Sequence, residues 1–172
     1  MVRFENMGDE LFKSYIKGSI SSYAKDNVRA GHWEEAEAEL KAKEQLQQIL
    51  PQGQETEGHD FFKIINNEND QKLGVIWVAK TDIGGEQVSF LYDIVIDEKF
   101  RRQGYGKQAL LMLERKAEDS GRSAVWLHVF AENKGAKRLY EQLGYKIMKT
   151  NQDEMSGETM SFHMAKQIAI RN

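Results

Sequence analysis

Ile94-Val95-Ile96-Asp97-Glu98-Lys99-Phe100-Arg101-Arg102-Gln103-Gly104-Tyr105-Gly106-Lys107 decides how this chain is read: an apolar strand ends, a basic glycine loop follows, and a helix starts. A junction of that kind binds anions. The first N–H groups of a helix have no partner within it and sit at the positive end of its dipole, and glycine lets the backbone approach a phosphate without a Cβ in the way. Arg101, Arg102 and Lys107 add positive charge. The plainer alternative gives the glycines only a tight strand-to-helix turn. Two phosphate motifs compete for the segment. A Walker A loop needs G-x-x-x-x-G-K-[ST], and here Gln108 follows Gly106-Lys107 while Arg101 stands where the leading glycine would be. Gly104-x-Gly106-x-x-Ala109 does satisfy the loose dinucleotide fingerprint, which keeps a dinucleotide-binding protein as a minor alternative. Fewer than about 70 residues remain to complete a doubly wound sheet, however, and the position about 20 residues on is Ala124 instead of an acid.

Downstream, Gly104 to Asp119 reads as a helix rich in Leu and Met, Ala124 to Phe130 as a nearly all-apolar strand, and Lys134 to Leu143 as a helix closed by Gly144. Strand, helix, strand, helix implies a right-handed crossover and a locally parallel pair covered on both faces. Tyr145 to Thr150 and Thr159 to Lys166 form a final hairpin around Met155-Ser156-Gly157. Upstream, Phe61 to Ile65, Gly74 to Lys80 and Gln87 to Ile96 read as an antiparallel meander. Before it, Val2 to Phe4 is a short strand, and Leu11, Tyr15, Ile16 and Tyr23 mark a helix reaching about Asn27, broken by Ala30-Gly31. A second helix runs from Trp33 to Leu50 with Ala36, Leu40, Leu46, Ile49 and Leu50 facing inward, and Pro51 ends it. No internal repeat or low-complexity tract is present.

At 172 residues, the chain is expected to form a single domain with one core. Its 24 Lys and Arg against 27 Asp and Glu give a net charge of −3, which argues against nucleic acid or a membrane surface as partner and suits a cationic one better. No apolar run approaches the roughly 20 residues needed to span a bilayer, and Met1 to Glu10 lacks the apolar core of a signal peptide, so a soluble cytoplasmic protein is expected. With 0 cysteines there is no disulfide, thiolate nucleophile or Cys-based metal site. His32, His59, His128 and His163 show no H-x-x-x-H spacing, so no metal is expected, and no G-x-S-x-G elbow marks a hydrolase.

The glycine loop resembles the acyl-CoA loop of the GNAT superfamily of N-acetyltransferases, [QR]-x-x-G-x-[GA], matched by Arg101-Arg102-Gln103-Gly104-Tyr105-Gly106. The second half of the family pattern follows in order: strand Ala124 to Phe130, Ala131-Glu132-Asn133, a helix carrying Tyr140, then Leu143-Gly144-Tyr145. The sequence departs from the pattern at Glu98, where many members have proline, and at Arg102, where many have glycine. The resemblance implies an α/β (α+β) GNAT fold, with a mixed central sheet of about six to seven strands, flanking helices, and a splayed parallel pair at the acetyl-CoA site. It implies an acetyl-CoA-dependent N-acetyltransferase acting on an amine-bearing small molecule, peptide or protein, and it is compatible with a homodimer. The alternative is a noncatalytic acyl-CoA-binding or regulatory module.

Carried over residue by residue, the resemblance places the pantetheine arm along the backbone of Ile94, Val95 and Ile96. The pyrophosphate falls on the N–H groups of Arg101, Arg102, Gln103, Gly104, Tyr105 and Gly106, with Lys107 close behind. Tyr140 shares a helical face with Ala136, Leu139 and Leu143, which suits a core aromatic; the resemblance makes it the general acid for the leaving thiolate. Asn133 is a good N-cap, and its family counterpart also touches the cofactor. His128 is the lone polar residue of its strand, placed where several peptide N-terminal acetyltransferases have a glutamate, and it is either the general base or a hydrogen-bonded core histidine. A neutral imidazole is expected there, desolvated among Trp126, Phe130 and other apolar neighbours. Asp93 is the analogous residue of the preceding strand, and Phe90 stands where histone-type members carry their glutamate. His59, Glu34 and Glu35 are further candidates for the acceptor side.

Overall fold

In a computed structural model, which describes residues 1–169, the strands are β1 (Val2–Asn6), β2 (His59–Asn66), β3 (Lys72–Ile83), β4 (Glu86–Ile96), β5 (Ala124–Phe130), β6 (Lys146–Gln152) and β7 (Thr159–Gln167). They form one seven-stranded sheet in the order β1-β2-β3-β4-β5-β7-β6. The β3–β4, β5–β7 and β6–β7 pairs are antiparallel and β4–β5 is parallel, the mixed sheet that the strand and helix alternation implied. The helices are α1 (Asp9–Arg29), α2 (Glu35–Ile49), α3 (Tyr105–Asp119) and α4 (Lys134–Gln142). Among the described residues no helix is long and apolar enough to cross a membrane.

The chain divides into two compact units. One comprises residues 1–5 and 62 onward, and the other residues 6–61; the last three residues of the expected single domain lie outside the described set. In the first unit, Val125, Leu127 and Val129 of β5 join Ile76 and Val78 of β3, Leu91 of β4, and Leu110 and Leu113 of α3 in one core. Burying the apolar side of α3 against these alternate strand positions is what holds the crossover onto the sheet, at roughly 25 cal/mol per Å² removed from water. Strand alternation sends Trp126, His128 and Phe130 to the opposite face of β5.

The second unit holds α1 and α2. Its buried cluster is Ala24, Ala38 and Ala42, with Ile20, Val28 and Trp33 packed around it. This corrects the face assigned to α2 from hydrophobicity: Leu40 is 63% exposed and Ala36 is exposed, while Leu46 is half-buried and Leu50 buried. The two helices meet on alanines because a small side chain allows close helix approach, which a bulkier Leu at the contact would prevent.

Candidate active site

The β4–β5 ladder is short. Ser89 pairs with Val125, Phe90 with Trp126 and Leu91 with Leu127, and there the pairing stops. On its other side β4 stays registered to β3 through Trp77↔Asp93, Ile76↔Ile94, Val75↔Val95 and Gly74↔Ile96, with a register shift between Trp77 and Val78 that leaves Tyr92 as the extra residue. A bulge bends its strand and raises the local twist. Here it falls where β4 and β5 part, so the main chain of Ile94 to Ile96 runs past the end of the β5 ladder. Ile94 and Ile96 pack against the core and Val95 is exposed, so the backbone of this segment, not its side chains, lines the gap.

Gly74 secures that geometry and was not singled out from the sequence. An ideal Cβ on it would lie 2.0 Å from the Val95 carbonyl oxygen, so only glycine permits β3 to approach β4 this closely. An isolated glycine within a strand was the available signal.

Beyond β4 the chain makes one 3-10 turn, Glu98–Phe100, and enters the loop. Arg102 (φ 61°) and Gly104 (φ 83°) are both left-handed. For Arg102 this conformation costs on the order of 1–2 kcal/mol, at the position where many GNAT members have glycine. No side chain caps the N-terminus of α3, and a Cβ on Gly104 would meet nothing within 4 Å. Uncapped N–H groups opening on free space, with exposed Arg102 and Lys107 nearby, fit a diphosphate.

The other loop side chains are engaged locally. Arg101 Nε donates to the Ile96 carbonyl (2.9 Å) and Gln103 Nε2 to that of Lys99 (3.3 Å). Tyr105 turns its ring toward the core, edge-on to Phe100, so what it offers the loop is its N–H. A Cβ on Gly106 would sit 3.9 Å from Ile96 and Leu139, in ordinary contact.

On α4, Asn133 Oδ1 accepts the Ala136 N–H (3.3 Å), the N-cap expected of it. Tyr140 is 8% exposed and packs edge-on to Tyr145 with ring centroids 5.9 Å apart. Its pKa is pushed up to about 12, first by burial and then by the negative charge of Asp93. The carboxylate of β4 and the phenol of α4 therefore share one electrostatic neighbourhood. Burial and the nearby Glu114 carboxylate raise Tyr145 further still, although Tyr145 Oη and Glu114 Oε1 form no well-made hydrogen bond. Glu114 Oε2 instead accepts from Lys166 Nζ at 2.9 Å.

His128 follows the last β4–β5 pair. It is exposed, which corrects the expectation of burial among apolar neighbours: β5 turns it onto the face opposite Leu127 and Val129. The rings of His163 (5.0 Å) and Phe130 (5.1 Å) still screen it, and its pKa is held below 6.5, first by desolvation and then by the charge of His163. His163 faces it directly across the β5–β7 ladder and accepts from Asn151 Nδ2 at its Nδ1 (3.0 Å), which leaves the proton of a neutral ring on Nε2. Local spacing could not reveal this pair, because strand register alone joins the two residues. Among the described residues no group of three His, Asp or Glu is placed to hold a metal ion.

The model of the acetyltransferase (GNAT) family matches residues 25–145. YycN, an uncharacterised N-acetyltransferase of Bacillus subtilis strain 168, is 37% identical over 140 residues, covering 81% of this chain and 89% of that protein. Its crystal structure has a TM-score of 0.82 and 34% identity, covering 92% of this chain and 100% of the other. The ribosomal-protein-S18-alanine N-acetyltransferase of Escherichia coli shares the fold, with a TM-score of 0.62 at 21% identity over 100% of this chain and 97% of that one. With a family match across most of its length, a well-covered relative and the splayed β4–β5 pair beside a glycine loop, the chain belongs to the GNAT family of acetyltransferases and is an acyltransferase.

Proposed function

We propose that the protein, acting as one cytoplasmic domain, transfers acetyl from acetyl-CoA to a primary amine by direct attack of the amine on the thioester. The observation that carries this reading is the end of β4–β5 pairing at Leu91 and Leu127, beyond which β4 runs on to the glycine loop and the uncapped start of α3. Bound acetyl-CoA supplies the acetyl group already activated. The N–H groups of Arg102 to Gly106 hold its diphosphate, with Arg102 and Lys107 adding charge, whereas the Arg101 N–H, expected to join them, already donates to the Glu98 carbonyl at 3.2 Å. The main chain of Ile94 to Ile96 hydrogen-bonds the pantetheine arm as an added strand, and Asn133, besides capping α4, contacts the cofactor. His128 takes a proton from the incoming ammonium, the C–N bond forms as the C–S bond breaks, Tyr140 directs its O–H at the departing sulfur, and the second proton shed by the new amide nitrogen makes good the one the sulfur takes up. A cysteine-free chain is suited to this route because no acyl-enzyme forms.

Two comparisons test the assignment. Gly104→Val is expected to abolish CoA binding in calorimetry and to lower stability by roughly 1–2 kcal/mol through its left-handed φ, whereas Gly106→Ala keeps both, because its Cβ enters open contact distance. Undiminished CoA affinity in Gly104→Val would move the cradle elsewhere, and tighter binding of NAD than of CoA would restore the dinucleotide reading. Release of free CoA across a panel of amines identifies the acceptor, and no release with any of them would leave a noncatalytic acyl-CoA-binding module.

The base is tested by pH. Because the His128 pKa is depressed, its imidazole stays neutral to below pH 6.5, so the acidic limb of kcat/KM is expected on the acid side of that value. His128→Gln should flatten this limb and slow transfer at neutral pH, with partial recovery at high pH where the amine arrives deprotonated. A variant with the parental rate and limb would leave water or Asp93 as the route.

A further inference from the structure

We infer that His163 is a positioning residue for the proposed base: it stands against His128 across the β5–β7 ladder, and Asn151 and Lys149 of β6 keep it uncharged so that His128 can accept the amine's proton. This rests on the acetyl-transfer reading above and deepens it by giving the base a partner.

His128 and His163 are direct partners in the antiparallel β5–β7 register, and their rings lie 5.0 Å apart, tilted by 56°. Residues directly opposite each other on such a pair project to the same face and stand within reach. Two imidazoles so placed behave as one titrating unit: once either carries a proton, the other binds a second less readily. Packing of two rings across a ladder accounts for the contact, but any pair of flat side chains would supply it. The hydrogen bonding around His163 is more specific. Asn151 Nδ2 lies 3.0 Å from His163 Nδ1 and 3.1 Å from the hydroxyl oxygen of Ser161, which is buried. The amide thus donates to the lone pair that a charging proton would occupy, and protonating the ring there sets donor against donor.

The groups facing His163 act in one direction. From β5 comes His128; from β6 come Asn151 and Lys149, the latter registered opposite His163; from β4 comes the uncharged ring of Phe90 at 6.5 Å. None of them is a carboxylate. Burial and then the positive charge of Lys149 hold the His163 pKa below its ordinary value, and His128 is lowered in the same sense, by desolvation and then by His163. Near neutral pH both rings are mostly uncharged, and His128 can take the ammonium proton as transfer proceeds. As the pH falls, a proton on His163 cancels that capacity even while His128 is itself neutral. The acidic limb of kcat/KM therefore follows the first proton taken by the pair. Lys149 and Asn151 set the pH of that event without touching the acceptor.

The test follows the imidazole proton resonances of His128 and His163, and kcat/KM for CoA release, over about pH 5 to 8 in the parental protein and in Lys149→Gln, Lys149→Glu and Asn151→Asp. Lys149 is exposed, so its replacement leaves the sheet intact. n-Butylamine, spermidine and Ala-Gly-amide serve as acceptors, and the fastest of them is carried through the series. Lys149→Gln is expected to raise the His163 midpoint and the acidic limb together by about half a unit, and Lys149→Glu about twice as far. Asn151→Asp, whose carboxylate accepts from the charged ring, should raise both by about one unit. The same three changes made in His163→Phe, which keeps a ring against His128 but takes no proton, should move the limb by no more than about 0.2 units, the direct reach of an exposed charge onto His128. A limb that stays in place while the His163 midpoint moves, or that moves as far in the His163→Phe background, would overturn the inference and leave the transfer reading standing. So would a His163 midpoint unmoved by all three changes. No release of CoA with any of the amines would overturn the transfer reading and the inference with it.

Discussion

Replacing Tyr140 by phenylalanine is expected to lower kcat by at least about tenfold, within the range of about 10² to 10⁴ that a positioned proton donor supplies, while acetyl-CoA affinity stays near its parental value. The change deletes one hydroxyl and preserves the ring that packs on Tyr145. With a pKa raised to about 12, the phenol remains protonated through any working range, so no descending limb of the kcat profile below that value is assigned to it. Burial and Asp93 both oppose a tyrosinate, so in the proposed mechanism the hydroxyl acts on the departing sulfur as a protonated hydrogen-bond donor. Steady-state turnover at saturating substrates checks the prediction, and parental kcat would reduce Tyr140 to a core aromatic.

Gly74→Ala is expected to be the most damaging small substitution in the sheet. Its Cβ would meet the Val95 carbonyl oxygen at 2.0 Å and Ile96 Cα at 3.0 Å, both backbone atoms in a paired strand that no rotamer change can move aside. Strain from such overpacking typically costs about 1–3 kcal/mol, and relief requires the end of β4 to shift. Because Ile94 to Ile96 are the segment proposed to pair with the pantetheine arm, CoA affinity should fall at least about tenfold in the same variant. Urea unfolding and calorimetric titration measure the two effects, and a Gly74→Ala protein with parental midpoint and affinity would show that β3 does not set this edge.

The sequence alone determined the order of elements, the strand-loop-helix junction at Ile94 to Lys107, the parallel pair, the Asn133 cap and the place of Tyr140. Each is written in local periodicity, in glycines at turns, or in residues a few positions apart on one helix, and local backbone physics reads such patterns without knowing the fold. Tertiary structure decided the rest. The exposure of His128 and its facing of His163 depend on the β5–β7 register; the Ala38 and Ala42 contact depends on how closely two helices approach; and the need for glycine at position 74 depends on a carbonyl twenty-one residues further along the chain. The opening of the site is of the same kind: Leu91 and Leu127 end their ladder because a bulge formed with β3 turns β4 aside. Pairing register and close packing are relations between distant segments, and they acquire energy only when the folded chain brings those segments together.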